Sequence, residues 1–191
     1  RMNLVLHNKG AGVVVGNIST LSAPQYKEED NPELLKTFNY IMVNPPFSDK
    51  SWMDGITIPD VYSRYSETVL GVPPEKNGDY AWLLHVLKSL KSNGKAAIIL
   101  PHGVLFRGNA EADICKKNIN RGYIKGIIGL PANLFYGTGI PACILVLEKE
   151  DTAECTGIFM RRQQRLCKGR QQEPPAGTGY SKNRDYFPRH G

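Results

Sequence analysis

The sequence has no apolar run approaching the roughly 18–20 residues that cross a bilayer, and its opening stretch, RMNLVLHNKG, lacks the apolar core of a secretion signal. It therefore reads as a cytoplasmic protein with no membrane partner. Cysteine is scarce: Cys115, Cys143, Cys155 and Cys167 are scattered, and no two form Cys-x-x-Cys. That argues against a disulfide scaffold and fits free, mostly buried thiols in a reducing compartment. The four histidines (His7, His85, His102, His190) make no His-Glu-x-x-His, so no metal site is expected. Also missing are Gly-x-Ser-x-Gly, a Walker loop and a pair of carboxylates at catalytic spacing.

The net charge of +6 would suggest nucleic acid as a partner if it were spread over the chain. It is not. Residues 1–156 carry sixteen basic and sixteen acidic side chains, whereas residues 157–191 carry eight basic and two acidic. The whole excess lies in the tail, so charge says nothing about what the body binds.

Short apolar runs alternate with amphipathic stretches. Residues 12–17 (GVVVGN), 38–43 (FNYIMV), 95–101 (KAAIILP), 124–130 (IKGIIGL) and 142–147 (ACILVL) read as strands. Tyr80, Leu83, Leu84, Leu87 and Leu90 fall on one face of a helix over 80–92, with Asp79 as its expected N-cap and Asn93-Gly94 as its stop. A second helix is expected over 109–120. Residues 48–78 read as a long functional loop with short helical pieces. Unbroken apolar strands alternating with helices indicate an α/β, doubly wound fold with a mainly parallel sheet covered on both faces.

Two motifs invite a chemical reading. Gly137-Thr138-Gly139-Ile140-Pro141-Ala142 spells the dinucleotide fingerprint but precedes a strand rather than a helix, and Pro141 removes an amide, so it reads as a turn. Asn44-Pro45-Pro46-Phe47 closes an apolar strand, where open α/β sheets place their ligand crevice. A bare Asn-Pro-Pro is more often only a turn; the strand before it and the Phe after it make chemistry competitive. The exocyclic amine of adenine is a poor nucleophile because its lone pair is delocalised into the ring. The Asn44 side-chain carbonyl and the Pro45 backbone carbonyl can accept its two hydrogens and expose that lone pair to a sulfonium methyl, so a neutral Asn suffices. The prolines fix the carbonyl directions, and Phe47 offers a surface for a flipped-out base.

From residue 1 to about 159 the chain resembles the DNA methyltransferase (modification) subunit of type I restriction–modification systems. The matching segments are RMNLVLHNKG, IMVNPPFSDKSW, GVPPEKNGDYAWLLHVLKSLKSNGKAAIILPHGVLFRG and GYIKGIIGLPANLFYGTGIPACILVLEK. The resemblance implies the Rossmann-like fold of S-adenosylmethionine-dependent methyltransferases. It implies methyl transfer from S-adenosylmethionine to the exocyclic amine of adenine in DNA, with Asn44, Pro45, Pro46 and Phe47 as the catalytic motif. Asn44 would also face the cofactor, and Asn17 stands where the family carries an acid that contacts it. The partners implied are duplex DNA with a flipped adenine, a specificity subunit, a second modification subunit and a restriction subunit. The family's Gly-rich cofactor loop would lie upstream of RMNLVLH, so the sheet is expected to be incomplete and the chain, as it stands, inactive. Residues 38–43 should form a sheet edge beside 95–101, with 142–147 antiparallel between 95–101 and 124–130.

Residues 1–159 thus read as a partial catalytic domain and 160–191 as a basic tail outside the core. That tail departs from the family's acidic, apolar pattern after GIFM, and reading one nucleotide over can restore a family-like sequence. It is expected to be a frameshift product; the other reading is a genuine basic, flexible tail. Two other functions stay open: a remnant that only binds the specificity subunit, and a protein-glutamine or RNA methyltransferase using the same tetrapeptide.

Overall fold

The computed structural model describes residues 19–135, 138–149 and 159–162. The strand expected at 12–17, Asn17 and the tail from 163 lie outside the described residues. The described chain forms one mixed sheet: β1 (Phe38–Val43), β2 (Leu90–Pro101), β3 (Ile124–Gly129), β4 (Ala142–Glu148) and β5 (Phe159–Arg162). Helix α1 (Asp79–Lys88) precedes β2, and α2 (Ala110–Asn120) precedes β3.

The spatial order is β1-β2-β4-β3-β5, with β1 at an edge of the described sheet and β4 antiparallel between β2 and β3, as expected. The sheet is less parallel than the sequence implies. β1/β2 and β3/β5 run parallel, but β4 makes both of its pairings antiparallel. The cause is local. The described residues of the connection over 130–141 form no helix, and β4 lies antiparallel beside β3 rather than following a crossover. Backbone pairing also reaches further than the 159/160 boundary: β5 pairs with β3 through Arg162↔Gly129.

One face of the two central strands, β2 and β4, is buried. Ala96, Ile98 and Leu100 of β2 alternate inward beside Cys143, Leu145 and Leu147 of β4, and join the helix residues Leu83, Leu84, Leu87 and Ile114 in a single core. The opposite face (Ala97, Ile99, Ile144, Val146) is only half-buried among the described residues. Burial pushes the Cys143 thiol up to about 11, so it is an inert packing group.

The predicted helical face is buried in full, but Leu90 belongs to β2 rather than to the helix. The strand begins there because Leu90 pairs with Phe38; a bulge then absorbs Lys91 to Gly94 before regular pairing resumes at Lys95. The long segment over 48–78 folds as turns without a described helix. It is pinned by Arg64, which meets Asp60 through two 2.8 Å contacts and lies over the rings of Tyr62 and Tyr65 at 5.1 and 4.8 Å.

Candidate functional site

β1 stops where it does because Pro45 and Pro46 offer no amide to a neighbouring strand. The tetrapeptide therefore leaves the carboxyl end of the strand with Pro45 buried, Asn44 and Pro46 exposed, and Phe47 half-buried. Among the described residues no hydrogen bond occupies the Asn44 amide, which leaves its carbonyl available. Phe47 packs edge-to-face on Phe135, ring centres 5.6 Å apart at 86°. Phe135 belongs to the GLPANLF run after β3, so two matching segments meet here.

The next residue, Ser48, sits in the left-handed region at φ 52°. Its N–H donates to Asp79 Oδ1 at 2.7 Å, and its hydroxyl lies 3.4 Å from Asp79 Oδ2. Asp79 was expected to cap the helix from outside; it is instead the first helical residue, wholly buried, and makes no cap bond. The side chain that receives its own amide is Asn77, through Oδ1 at 3.0 Å. The Asp79 carboxylate serves the loop. Arg107 Nη1 lies 2.7 Å from Asp79 Oδ2 and 3.1 Å from Glu111 Oε1. Two further bonds sew the loop to the approach of α1: Gly78 N–H to the Asp49 carbonyl at 2.8 Å, and Trp52 Nε1–H to the Pro74 carbonyl at 2.8 Å.

The electrostatics follow from this crowding. Burial alone would lower the Arg107 pKa, but its hydrogen bonds to Asp79 and Glu111 hold it above the usual arginine range. Burial raises the Glu111 carboxyl, only partly opposed by Arg107. The start of α1 adds its own preference for a negative group at Asp79. Tyr80 braces the far side, its hydroxyl donating to the Val104 carbonyl at 2.6 Å; burial holds that hydroxyl protonated by raising its pKa.

Around the same end of the sheet stand exposed apolar side chains: Phe106 (76% exposed) and Leu105 after β2, Leu134 after β3 and Ile140 before β4. The Pro141 carbonyl receives the His102 N–H at 2.9 Å, tying two of these loops together. The described part of the glycine-rich stretch, from Thr138, leads into β4 rather than a helix, while Gly137 lies outside the described residues. No cluster of metal-ligating side chains exists among the described residues, and no described helix is long and apolar enough to span a membrane.

Of the residues singled out from sequence, Asn44 and Pro46 are exposed at the end of β1, Phe47 is half-buried and Pro45 is buried, while Asn17 lies outside the described residues. For a methyl donor, the described chain offers the free amide of Asn44, a neutral polar group able to face a cation without ion-pairing to it. Ser48, Arg107, Glu111 and Phe135 escaped sequence reasoning, and Asp79 was read only as a helix cap. A usable signal existed for Asp79: a charged residue opening an almost wholly apolar helix must find a partner.

The family model described as N-6 DNA Methylase matches residues 1–174. The chain is 36% identical over 115 residues to the type I restriction enzyme MjaIX methylase subunit of Methanocaldococcus jannaschii, covering 60% of this chain and 21% of that protein. It is 32% identical over 149 residues to the HindI methylase subunit of Haemophilus influenzae, covering 78% of this chain and 31% of that protein. Among solved structures, the type I restriction-modification system methyltransferase subunit of Streptococcus thermophilus superposes with a TM-score of 0.68 at 34% identity, over 84% of this chain and 33% of that one. The chain thus spans between a fifth and a third of the length of these relatives.

Proposed function

Because the chain belongs to the N-6 DNA methylase family, we propose that it carries the methyl-acceptor site of an adenine-specific DNA methyltransferase of the type I restriction–modification kind. The observation that carries the proposal is the Asn44 amide, unbonded among the described residues and exposed at the carboxyl end of β1, next to a buried Pro45 and a ring-packed Phe47. The Asn44 side-chain carbonyl and the Pro45 backbone carbonyl accept the two hydrogens of the target amine. The lone pair of that exocyclic nitrogen is thereby freed for attack, and no strong base is required. Phe47, steadied by Phe135, stacks on the extruded base.

S-adenosylmethionine, when bound, supplies an electrophilic methyl on a sulfonium; Asn44 and, upstream, Asn17 are the residues assigned to face it. The exposed apolar rim of Phe106, Leu134 and Ile140 offers a surface on which a distorted duplex can rest. The partners proposed are duplex DNA, a specificity subunit, a second modification subunit and a restriction subunit, with a cytoplasmic location.

The test is methyl transfer from labelled S-adenosylmethionine by a full-length subunit carrying this segment, together with its specificity partner. Duplex DNA, RNA and a glutamine-containing peptide are offered in parallel. Label should enter adenine of the duplex alone. Label on RNA or peptide, with none on DNA, would overturn the reading.

A further inference from the structure

We infer that Asp79 and Arg107 are positioning residues for methyl transfer, a buried carboxylate and a half-buried guanidinium that fix the exit of the Asn44–Phe47 loop and therefore the aim of Asn44 and Phe47. The inference rests on the functional reading given above.

The starting point is Ser48. A non-glycine residue at φ 52° is held in an unfavourable region and keeps it only when its surroundings impose it. What imposes it is the 2.7 Å bond from its N–H to Asp79 Oδ1. That bond sets the plane of the Phe47–Ser48 peptide, which adjoins the Cα that carries the stacking ring. Asp79 cannot swing away, because its second oxygen is held by Arg107 at 2.7 Å.

Arg107 is itself confined. Its guanidinium is shared with Glu111 at 3.1 Å, and it lies so close over Gly103 that a Cβ there would fall 2.8 Å from Nε and Nη2. Its backbone N–H bonds the Gly103 carbonyl at 3.0 Å. Arg107 belongs to the loop after β2, Ser48 to the loop after β1, and Asp79 to the start of α1. The pair therefore locks two strand ends and a helix end into one frame. The amide at the head of α1 is served by Asn77, so Asp79 Oδ1 is given over to the Ser48 amide of the loop.

The experiment compares Asp79→Asn, Arg107→Gln, Arg107→Lys and Asn44→Ala in the full-length subunit with S-adenosylmethionine and duplex DNA. Single-turnover methyl transfer per folded molecule and cofactor affinity are read separately. Loss of alignment should slow transfer by about 10–10²-fold in Arg107→Gln and Asp79→Asn while leaving cofactor affinity unchanged. Arg107→Lys, which keeps the charge, should recover part of the rate.

If Asn44→Ala abolishes transfer while both neutralised variants transfer at the parental rate, the positioning role is wrong and the site reading stands. If Asn44→Ala itself transfers normally, the site reading fails. Should the variants not fold, amide exchange in the parental protein decides. A slowly exchanging Ser48 N–H supports the pair, and one exchanging like an unbonded loop amide overturns it.

Discussion

Asp79, completely buried at the head of α1, stands 2.7 Å from Arg107, twenty-eight residues further along the chain. A buried carboxylate stripped of its guanidinium partner keeps its desolvation penalty and loses its compensation. Arg107→Ala should therefore destabilise the fold by about 3–5 kcal/mol, measured as a lower urea midpoint. Glu111→Gln should be far milder, because the amide oxygen still accepts from Arg107 and one of two neighbouring buried carboxylates is gone. A severe loss in Glu111→Gln with none in Arg107→Ala would reverse the assignment.

Gly78 marks the closest approach between the loop and α1. Its φ of −85° suits any residue, so conformational freedom is not why glycine stands there. Space is the reason: a Cβ would lie 2.8 Å from Trp52 Cβ and 3.3 Å from Asp49 Cβ. Gly78→Ala should cost about 1–3 kcal/mol by overpacking and shift the fluorescence of Trp52. An unchanged midpoint and spectrum would show that the loop has room to give.

The core makes a sharper demand at β4. Leu145, opposite Ile98 in the antiparallel pair with β2, is buried on the covered face, whereas its neighbour Val146 faces the half-buried side. Leu145→Ala should lower stability by about 2–5 kcal/mol, and Val146→Ala by clearly less. Equal losses at the two positions would mean that the second face is as tightly packed as the first.

His85 gives the fold an acid-side weakness. Burial first, and the Arg64 guanidinium 3.1 Å from Nδ1 second, lower its pKa from the ordinary value to about 4. The folded state therefore resists a proton that the unfolded chain accepts. Stability is fully present above about pH 6.5 and falls as pH drops toward 4, by about 2–3 kcal/mol if His85 acts alone. Comparing urea midpoints at pH 7 and pH 4.5 for the parent and His85→Gln should show a smaller drop in the variant. An identical drop would place the sensitivity elsewhere.

Much of this was legible in the sequence because apolar periodicity reports burial directly. The strand at Phe38–Val43 falls as read, and α2 and β3 within a residue. The helix end was misjudged because Leu90 continues the helical spacing while its backbone is captured by Phe38, a partner more than fifty residues away that no local pattern reveals. Asp79 was misread for a related reason. Acids commonly cap helices, and only the folded chain brings Ser48 and Arg107 to its two oxygens. The tetrapeptide could be found because its chemistry is contiguous in sequence; its support could not, because it is assembled from three separate segments.

The central claim is that Asn44 acts on the target amine, and its most direct test is the rate of adenine methylation in duplex DNA by a full-length subunit bearing Asn44→Ala. Loss of one polar group that stabilises developing charge should lower single-turnover transfer by about 10²–10³-fold, with cofactor affinity little changed. Transfer by Asn44→Ala at the parental rate would contradict the account and leave the Asn-Pro-Pro-Phe turn a purely structural end to β1.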